Sequence, residues 1–203
     1  MQLDINIQKT LRSGERVFQL NAHFCAQGQR VVVAGPSGAG KSLLLKAIAG
    51  LMRPDSGHVR VDGQTLFDAK AGIHLPPQSR HMAYLFQDYA LFPHLNVRQN
   101  IAFGLKRGWF NPRLNDGGAA VDYWLDALHL REVAHQAPHA LSGGQRQRTA
   151  LARALVSKPR ALLLDEPFAA LDPDLRAVMR AELDALQRRL QVPMVLITHD
   201  PLD

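Results

Sequence analysis

The sequence predicts an α/β fold: a three-layer sandwich with a mostly parallel core sheet, N-terminal antiparallel strands and a helical insertion. The first observation behind this prediction is a set of short apolar runs, which are typical of parallel strands covered on both faces. These runs are Val31–Val33, Met82–Phe86, Ala161–Leu164 and Met194–Ile197. The second observation is that helical stretches separate the runs, with the helical insertion expected between the second run and the third.

The helices follow from local patterns. Lys41 to Gly50 is predicted to be helical, as is the stretch from Gln145 to about Val156. The clearest helix is Pro173 to Leu190, with Asp172 as its N-cap and Pro173 in its first turn. Its apolar stripe consists of Leu175, Val178, Met179, Leu183, Leu186 and Leu190.

The N-terminal strands are predicted from alternation. Leu3, Ile5 and Ile7 alternate with polar residues, as in a half-buried strand. Val17 to Leu20 is the expected hairpin partner of that strand, across a turn at Arg12-Ser13-Gly14. Gly108 to Gly118, rich in Gly, Asn and Pro, is predicted to be a loop.

Composition limits the class of protein. A chain of 203 residues with 46% hydrophobic content supports one sizeable core. The single cysteine, Cys25, excludes an internal disulfide framework, and its apolar neighbours favour a packing role. We expect no membrane span and no export signal, and therefore a protein of a reducing compartment. The net charge of +6 suits nucleic acid, or alternatively a bound nucleotide and an anionic membrane surface, which we favour.

A phosphate-binding loop is the most informative motif. Small residues between a predicted strand and a predicted helix turn successive backbone N–H groups inward, where they cradle a polyphosphate. In this pattern the lysine reaches the terminal phosphates and the hydroxyl next to it binds Mg²⁺. The residues expected to bind nucleotide here are Gly35, Pro36, Ser37, Gly38, Ala39, Gly40, Lys41, Ser42 and Leu43.

Two acids complete the expected catalytic site. Asp165 and Glu166 directly follow the third apolar run, at the strand end that faces the same crevice as the phosphate loop. Asp165 is expected to hold Mg²⁺ through water. Glu166 is expected to orient and deprotonate the attacking water, because phosphoryl transfer depends mainly on positioning and charge neutralisation.

A second anion-seeking helix start follows Leu141. Ser142, Gly143, Gly144 and Gln145 precede a predicted helix, so their amides and the hydroxyl suit an anion. The phosphate loop already surrounds one triphosphate. The second cradle therefore indicates a nucleotide held on another copy of the chain, in a twofold dimer that encloses two ATP molecules.

Taken in order, the phosphate loop, Gln87, Leu141–Gln145, Asp165-Glu166 and His199 resemble the nucleotide-binding subunits of ATP-binding-cassette (ABC) transporters. This resemblance covers nearly the whole chain. It implies that Gln87 contacts Mg²⁺ and the attacking water, and that His199 contacts the γ-phosphate. It implies that Ala170-Leu171-Asp172 crosses between subunits, a role that is compatible with Asp172 as an N-cap.

The resemblance also implies partners. Residues 88–106 would dock a cytoplasmic helix of a transmembrane permease, with Tyr89, Leu91, Phe92 and Leu95 lining a groove, although such a stripe also suits a core. A substrate-binding protein would act indirectly, and no nucleic acid is expected. The subunit would lie at the cytoplasmic face of the membrane. The implied domains are a core of residues 1–87 and 157–203 and a helical subdomain of about 88–156.

Two stretches, Gly72–Arg80 and Phe86–Leu95, look most like molybdate importers, whereas sulfate, iron and polyamine importers share much of them. The family commonly stacks adenine on an aromatic residue before the second strand. Leu11–Arg16 contains none, and Phe18 is the nearest. The resemblance calls for more chain after Asp203, so we expect a truncated protein. There are two alternatives: a soluble cassette that acts on nucleic acid, and an inactive regulatory subunit. The inactive subunit is disfavoured because Lys41, Asp165, Glu166 and His199 are all intact.

Overall fold

A computed structural model describes residues 1–105, 111–169 and 171–200. The strands are β1 Gln2–Ser13, β2 Arg16–Gln27, β3 Arg30–Ala34, β4 Ser56–Val61, β5 Gln64–Asp68, β6 Ile73–His74, β7 Met82–Leu85, β8 Ala161–Asp165 and β9 Met194–Thr198. The α-helices are α1 Lys41–Ala49, α2 Pro77–Arg80, α3 Val97–Phe103, α4 Gly118–Ala127, α5 Gly143–Leu155 and α6 Pro173–Leu190. Short 3₁₀ turns cover Arg131–Val133 and Pro138–Ala140.

The N-terminal strands form an antiparallel sheet in the order β2-β1-β4-β5-β6. The predicted hairpin is confirmed, with Leu11 opposite Phe18 and Ser13 opposite Arg16. Cys25 does not pack as predicted, because alternation along β2 turns Phe24 inward and leaves the thiol exposed, 3.6 Å from Asp4 Oδ1.

The second sheet is parallel throughout, in the order β3-β9-β8-β7. Its strands coincide with the four apolar runs of the sequence. The prediction that all four are covered on both faces is wrong for β3, where Val32 is 44% exposed. The physical reason is strand order: within the described residues β3 lies at the edge of the sheet, whereas β8 and β9 lie inside it and are buried along their whole length.

The parallel sheet separates two apolar cores, which accounts for the layered architecture. Leu163 on one face joins a core formed by α1 and the antiparallel sheet. Leu162 and Leu164 on the other face join a core that includes residues of α3, α4, α5 and α6. Since side chains alternate along a strand, a single apolar run serves both cores. The predicted three-layer fold with a helical insertion between β7 and β8 is confirmed.

The long helix α6 begins and ends as predicted. The Asp172 side chain accepts a hydrogen bond from the Leu175 N–H over 3.0 Å and caps the helix. Val178 is 51% exposed, however, so it does not belong to the buried stripe that includes Met179 and Leu183. Among the described residues, none of the helices combines the length and the hydropathy that spanning a bilayer requires. Of the predicted loop, residues 108–110 lie outside the described residues, as does Ala170 of the predicted crossing segment.

An arginine is fully buried beneath the end of α1. The Arg80 guanidinium donates hydrogen bonds to the carbonyls of Leu75, Ala47 and Ile48 over 2.8 to 2.9 Å. It therefore satisfies carbonyls at the C-terminus of α1, where a cation is also favoured by the helix dipole. Burial lowers the pKa of Arg80 to about 10, which leaves the group protonated at neutral pH.

Candidate nucleotide-binding site

The phosphate loop connects β3 to α1 and leaves its small residues accessible. Gly38 and Gly40 have φ angles of 80° and 89°, in the region that favours glycine. A Cβ on Gly40 would lie 2.9 Å from Phe18 Cζ, so close packing against β2 also requires glycine there. The Lys41 ammonium donates to the carbonyls of Gly35 and Pro36 over 2.8 and 2.9 Å. The loop thus holds its lysine through neutral acceptors, and a phosphate would be a stronger acceptor.

Ser42, at the start of α1, is joined to the end of β8. Its hydroxyl donates a hydrogen bond to Asp165 Oδ1 over 2.8 Å. The Tyr84 hydroxyl, on β7, donates to Asp165 Oδ2 over 2.7 Å. Burial and the hydrogen bond to Asp165 raise the pKa of Tyr84, which keeps the phenol a donor. Both oxygens of the Asp165 carboxylate are therefore held by neutral donors.

Glu166 lies between Lys41 and His199. One carboxylate oxygen of Glu166 lies 3.8 Å from Lys41 Nζ, and the other lies 3.2 Å from His199 Nδ1. The backbone of Glu166 has a φ of 46°, which is unusual for a residue with a side chain, and its N–H donates to the Ile197 carbonyl. The start of α1 and the ends of β8 and β9 thus bring three predicted site residues together, as expected at the carboxyl edge of a parallel sheet.

A cavity of about 430 Å³ opens over these groups. Its lining includes Gln87, Glu166 and residues of the phosphate loop, together with the apolar Leu11 and Phe18. Phe18 also packs partly against the core beneath the antiparallel sheet. Leu11 and Phe18 face each other across β1 and β2 and form an apolar wall beside the loop.

The second predicted cradle lies apart from this cavity. Among the described residues, Ser142–Gln145 line neither this cavity nor the adjacent open one, which is bordered by Ser42, Gln87 and Asp165. Ser142 caps α5 in a capping box: its hydroxyl accepts from Gln145 N–H, and its own N–H donates to Gln145 Oε1 over 2.9 Å. A Cβ on Gly143 would lie 3.3 Å from Leu171 Cδ2, so this glycine also has a packing role.

The residues after Gln87 form a compact turn. Asn100 is fully buried and holds the turn through the N–H and carbonyl of Phe92. Arg153 of α5 donates to the carbonyls of Tyr89 and Ala90 over 2.7 Å. The turn is thereby anchored both to α3 and to α5.

This turn alters the predicted groove. Tyr89 and Leu95 are buried and belong to the core, so they do not line a groove. Leu91 and Phe92 are half-buried and Pro93 is exposed, so these residues remain available. Lys106, the end of the predicted docking segment, lies outside the described residues.

The donor chemistry at Ser42 and Asp165 fits Mg²⁺. A hydroxyl and a carboxylate are hard oxygen ligands, with the Gln87 amide oxygen bordering the same open cavity. Asp165 is 5% exposed, and its two described side-chain partners, Ser42 and Tyr84, are both neutral. Tyr84 was missed by the sequence analysis, because a tyrosine inside an apolar run carries no signal of its hydrogen-bond partner.

Comparisons with known proteins agree with this geometry. Residues 21–169 match the family model described as ABC transporter. A molybdenum import ATP-binding protein ModC of Paramagnetospirillum magneticum is 40% identical over 97% of this chain and 52% of its own length. A spermidine/putrescine import ATP-binding protein PotA of Salmonella typhimurium is 43% identical over 96% of this chain and 49% of its own length. The chain thus spans about half the length of these relatives.

A solved structure extends the likeness to the fold. It is the dimeric structure of an ATP-binding cassette in a post-hydrolysis state, bound to ADP and Pi. It matches with a TM-score of 0.77 and 29% identity, over 98% of this chain and 88% of the other.

A probable sulfate/thiosulfate import ATP-binding protein CysA of Chlorella vulgaris is 43% identical over 96% of this chain and 79% of its own length.

Proposed function

Because the chain belongs to the ABC transporter family, we propose that it is the ATP-hydrolysing subunit of an importer. The observation that carries this proposal is the contact of Ser42 with Asp165 and of Lys41 and His199 with Glu166, at one edge of the parallel sheet. The chemistry is transfer of the γ-phosphoryl group of ATP to water. A non-catalytic loop would not require this convergence of acids on a lysine and a hydroxyl.

The residues have distinct roles in this proposal. The phosphate-loop amides and Lys41 bind the phosphates and neutralise their charge. Glu166 orients the attacking water and accepts its proton, and His199, beside Glu166, contacts the γ-phosphate. Ser42, Asp165 and Gln87 would hold Mg²⁺, which supplies charge neutralisation when bound.

The second cradle of each chain serves the nucleotide that is bound by a second copy of the chain. The nucleotide cavity is lined by the phosphate loop, Gln87 and Glu166, and among the described residues, residues 142–145 do not contribute to its lining within their own chain. We propose that each copy supplies Ser142–Gln145 to the phosphate bound by its partner. The dimeric state of the solved cassette with ADP and Pi supports this arrangement.

The remaining partners lie on the membrane side. We propose peripheral attachment to the cytoplasmic face through a permease that contacts the turn after Gln87, mainly at Leu91, Phe92 and Pro93. This assigns residues 1–87 and 157–203 to the catalytic core and about 88–156 to a helical subdomain. A partner at this turn would be linked by Arg153 to α5 and hence to Ser142.

Glu166→Gln tests the activity. The amide keeps the shape of the side chain and removes the proton acceptor, so we expect phosphate release to fall by at least about 10²-fold while Mg-ATP binding remains. Gel filtration with Mg-ATP should then show an accumulated dimer. The control is Glu132→Gln, at an exposed glutamate outside the cavity. Hydrolysis at the wild-type rate in Glu166→Gln would remove Glu166 from its role, and a wild-type chain without ATP binding would overturn the function.

For the cargo we propose molybdate. Support comes from Gly72–Arg80 and Phe86–Leu95 and from the ModC relative at 40% identity, whereas the polyamine and sulfate relatives reach 43%. Deletion of the complete gene, followed by uptake measurements for molybdate, sulfate and spermidine, distinguishes them. We expect molybdate uptake alone to be lost. Loss of spermidine or sulfate uptake instead would reassign the cargo and leave the ATPase proposal unchanged.

A further inference from the structure

The Asp165 carboxylate, at the end of one strand, is held by side chains from a neighbouring strand and from a helix. Asp165 ends β8, Tyr84 lies on the neighbouring β7, and Ser42 lies in the first turn of α1. Tyr84 pairs with Leu163 in the parallel register, two residues before Asp165, so alternation places Tyr84 and Asp165 on the same face of the sheet. That face is the one covered by α1.

The hydroxyl groups of Ser42 and Tyr84 both donate their hydrogen bonds to the Asp165 carboxylate. A hydroxyl that donates its proton still has lone pairs, so Ser42 can donate to Oδ1 of Asp165 and face a cation with its oxygen. The Tyr84 hydroxyl donates to Oδ2 over 2.7 Å and thereby fixes the plane of the carboxylate. Without Tyr84, the second carboxylate oxygen would be buried with no donor and free to rotate toward another one.

We propose that Tyr84 is a positioning residue for the magnesium site, which it serves by orienting Asp165 rather than by touching the ion. This inference rests on the proposed function, because it assumes that Asp165 serves Mg²⁺ in an ATP complex. Residues that hold a metal-binding group from behind typically change metal affinity by 10- to 100-fold when they are replaced. A tyrosine that merely fills the core would change stability and leave the dependence on Mg²⁺ as it is.

Tyr84→Phe separates these two roles, since it keeps the ring and removes only the donor. The assay is binding of a fluorescent ATP analogue to the complete chain, first in EDTA and then during a Mg²⁺ titration. We expect unchanged affinity in EDTA and a Mg²⁺ midpoint raised by about 10- to 100-fold. The control is Tyr123→Phe, at a tyrosine that is 50% exposed and distant in sequence from the site; its midpoint should equal that of the wild type.

A second comparison tests whether Tyr84 acts through Asp165. In an Asp165→Asn background, Tyr84→Phe should raise the Mg²⁺ midpoint no further, because the group it orients is already altered. A midpoint within about twofold of wild type for Tyr84→Phe alone, or an equal effect in both backgrounds, would overturn the inference. A wild-type chain whose nucleotide affinity does not respond to Mg²⁺ would instead overturn the proposed function.

Discussion

Ser142→Asp tests whether the start of α5 serves a phosphate on another copy of the chain. Ser142 has a local role, since its hydroxyl accepts a hydrogen bond from Gln145 N–H and caps the helix. Aspartate is as good an N-cap as serine, so the local role survives the substitution. The proposed role in a dimer does not survive, because the carboxylate would face a phosphate.

The expected magnitude follows from the charges. A carboxylate about 4 Å from a phosphate, at an effective dielectric constant of about 20, costs roughly 4 kcal/mol per unit charge. That energy corresponds to about a 10³-fold loss of affinity. A twofold dimer contains the contact twice, so the association constant should fall by at least that factor. Ser142→Ala makes the opposite change: it loses the cap, about 1 kcal/mol, and adds no charge.

Sedimentation in the Glu166→Gln background measures the dimer without turnover. With Mg-ATP we expect the parent to be dimeric and the Ser142→Asp form to be monomeric. Without nucleotide, where neither form is held in a dimer, the two should have similar unfolding midpoints. The Ser142→Ala form should unfold about 2–4 °C lower and still dimerise. Dimers of Ser142→Asp at the parent's concentration dependence would refute the composite site, whatever the stability data show.

Two further predictions concern the apolar wall and the buried arginine. Leu11→Trp should raise ATP affinity by about 2- to 12-fold in an equilibrium binding assay, because a ring on the wall adds stacking worth about 0.5–1.5 kcal/mol. Leu51→Trp, exposed and outside the cavity, is the control. Equal effects of the two substitutions would show that the wall does not bind the base. Arg80→Met should lower the free energy of unfolding in urea by about 3 kcal/mol, because it removes three hydrogen bonds from a charged donor. The exposed Arg53→Met should change it by less than about 0.5 kcal/mol, and a similarly small change for Arg80→Met would contradict its role in holding α1.

The elements of the fold could be predicted from sequence because they depend on local patterns. Apolar runs such as Ala161–Leu164 and Met194–Ile197 are too short for helices, and the cap and proline at Asp172-Pro173 mark the start of α6. The ends of the parallel strands then place Asp165 and Glu166 beside the phosphate loop. These conclusions require only period, length and the shared direction of the strands.

The wrong predictions concern residues whose exposure depends on how strands and turns are arranged in three dimensions. Nothing in Val31–Val33 reveals that β3 lies at a sheet edge, and the exposure of Cys25 depends on the phase of β2 relative to the core. Tyr84 contacts Asp165 only because β7 is the neighbour of β8. Tyr89 and Leu95 are buried where the turn is held by the nearby Asn100 and by Arg153, which lies 63 residues after Ala90 in the sequence. Such long-range contacts cannot be derived from periodicity.

The positive φ angle of Glu166 bears on how this position can change during evolution. A residue with a side chain at a φ of 46° costs on the order of 1 kcal/mol relative to glycine, and this cost recurs every time the protein folds. Selection for thermal robustness alone would replace this glutamate, since activity and robustness compete at such positions. The proposed role of the carboxylate accounts for a glutamate at this strained position, and a descendant released from that role would be free to relax there first.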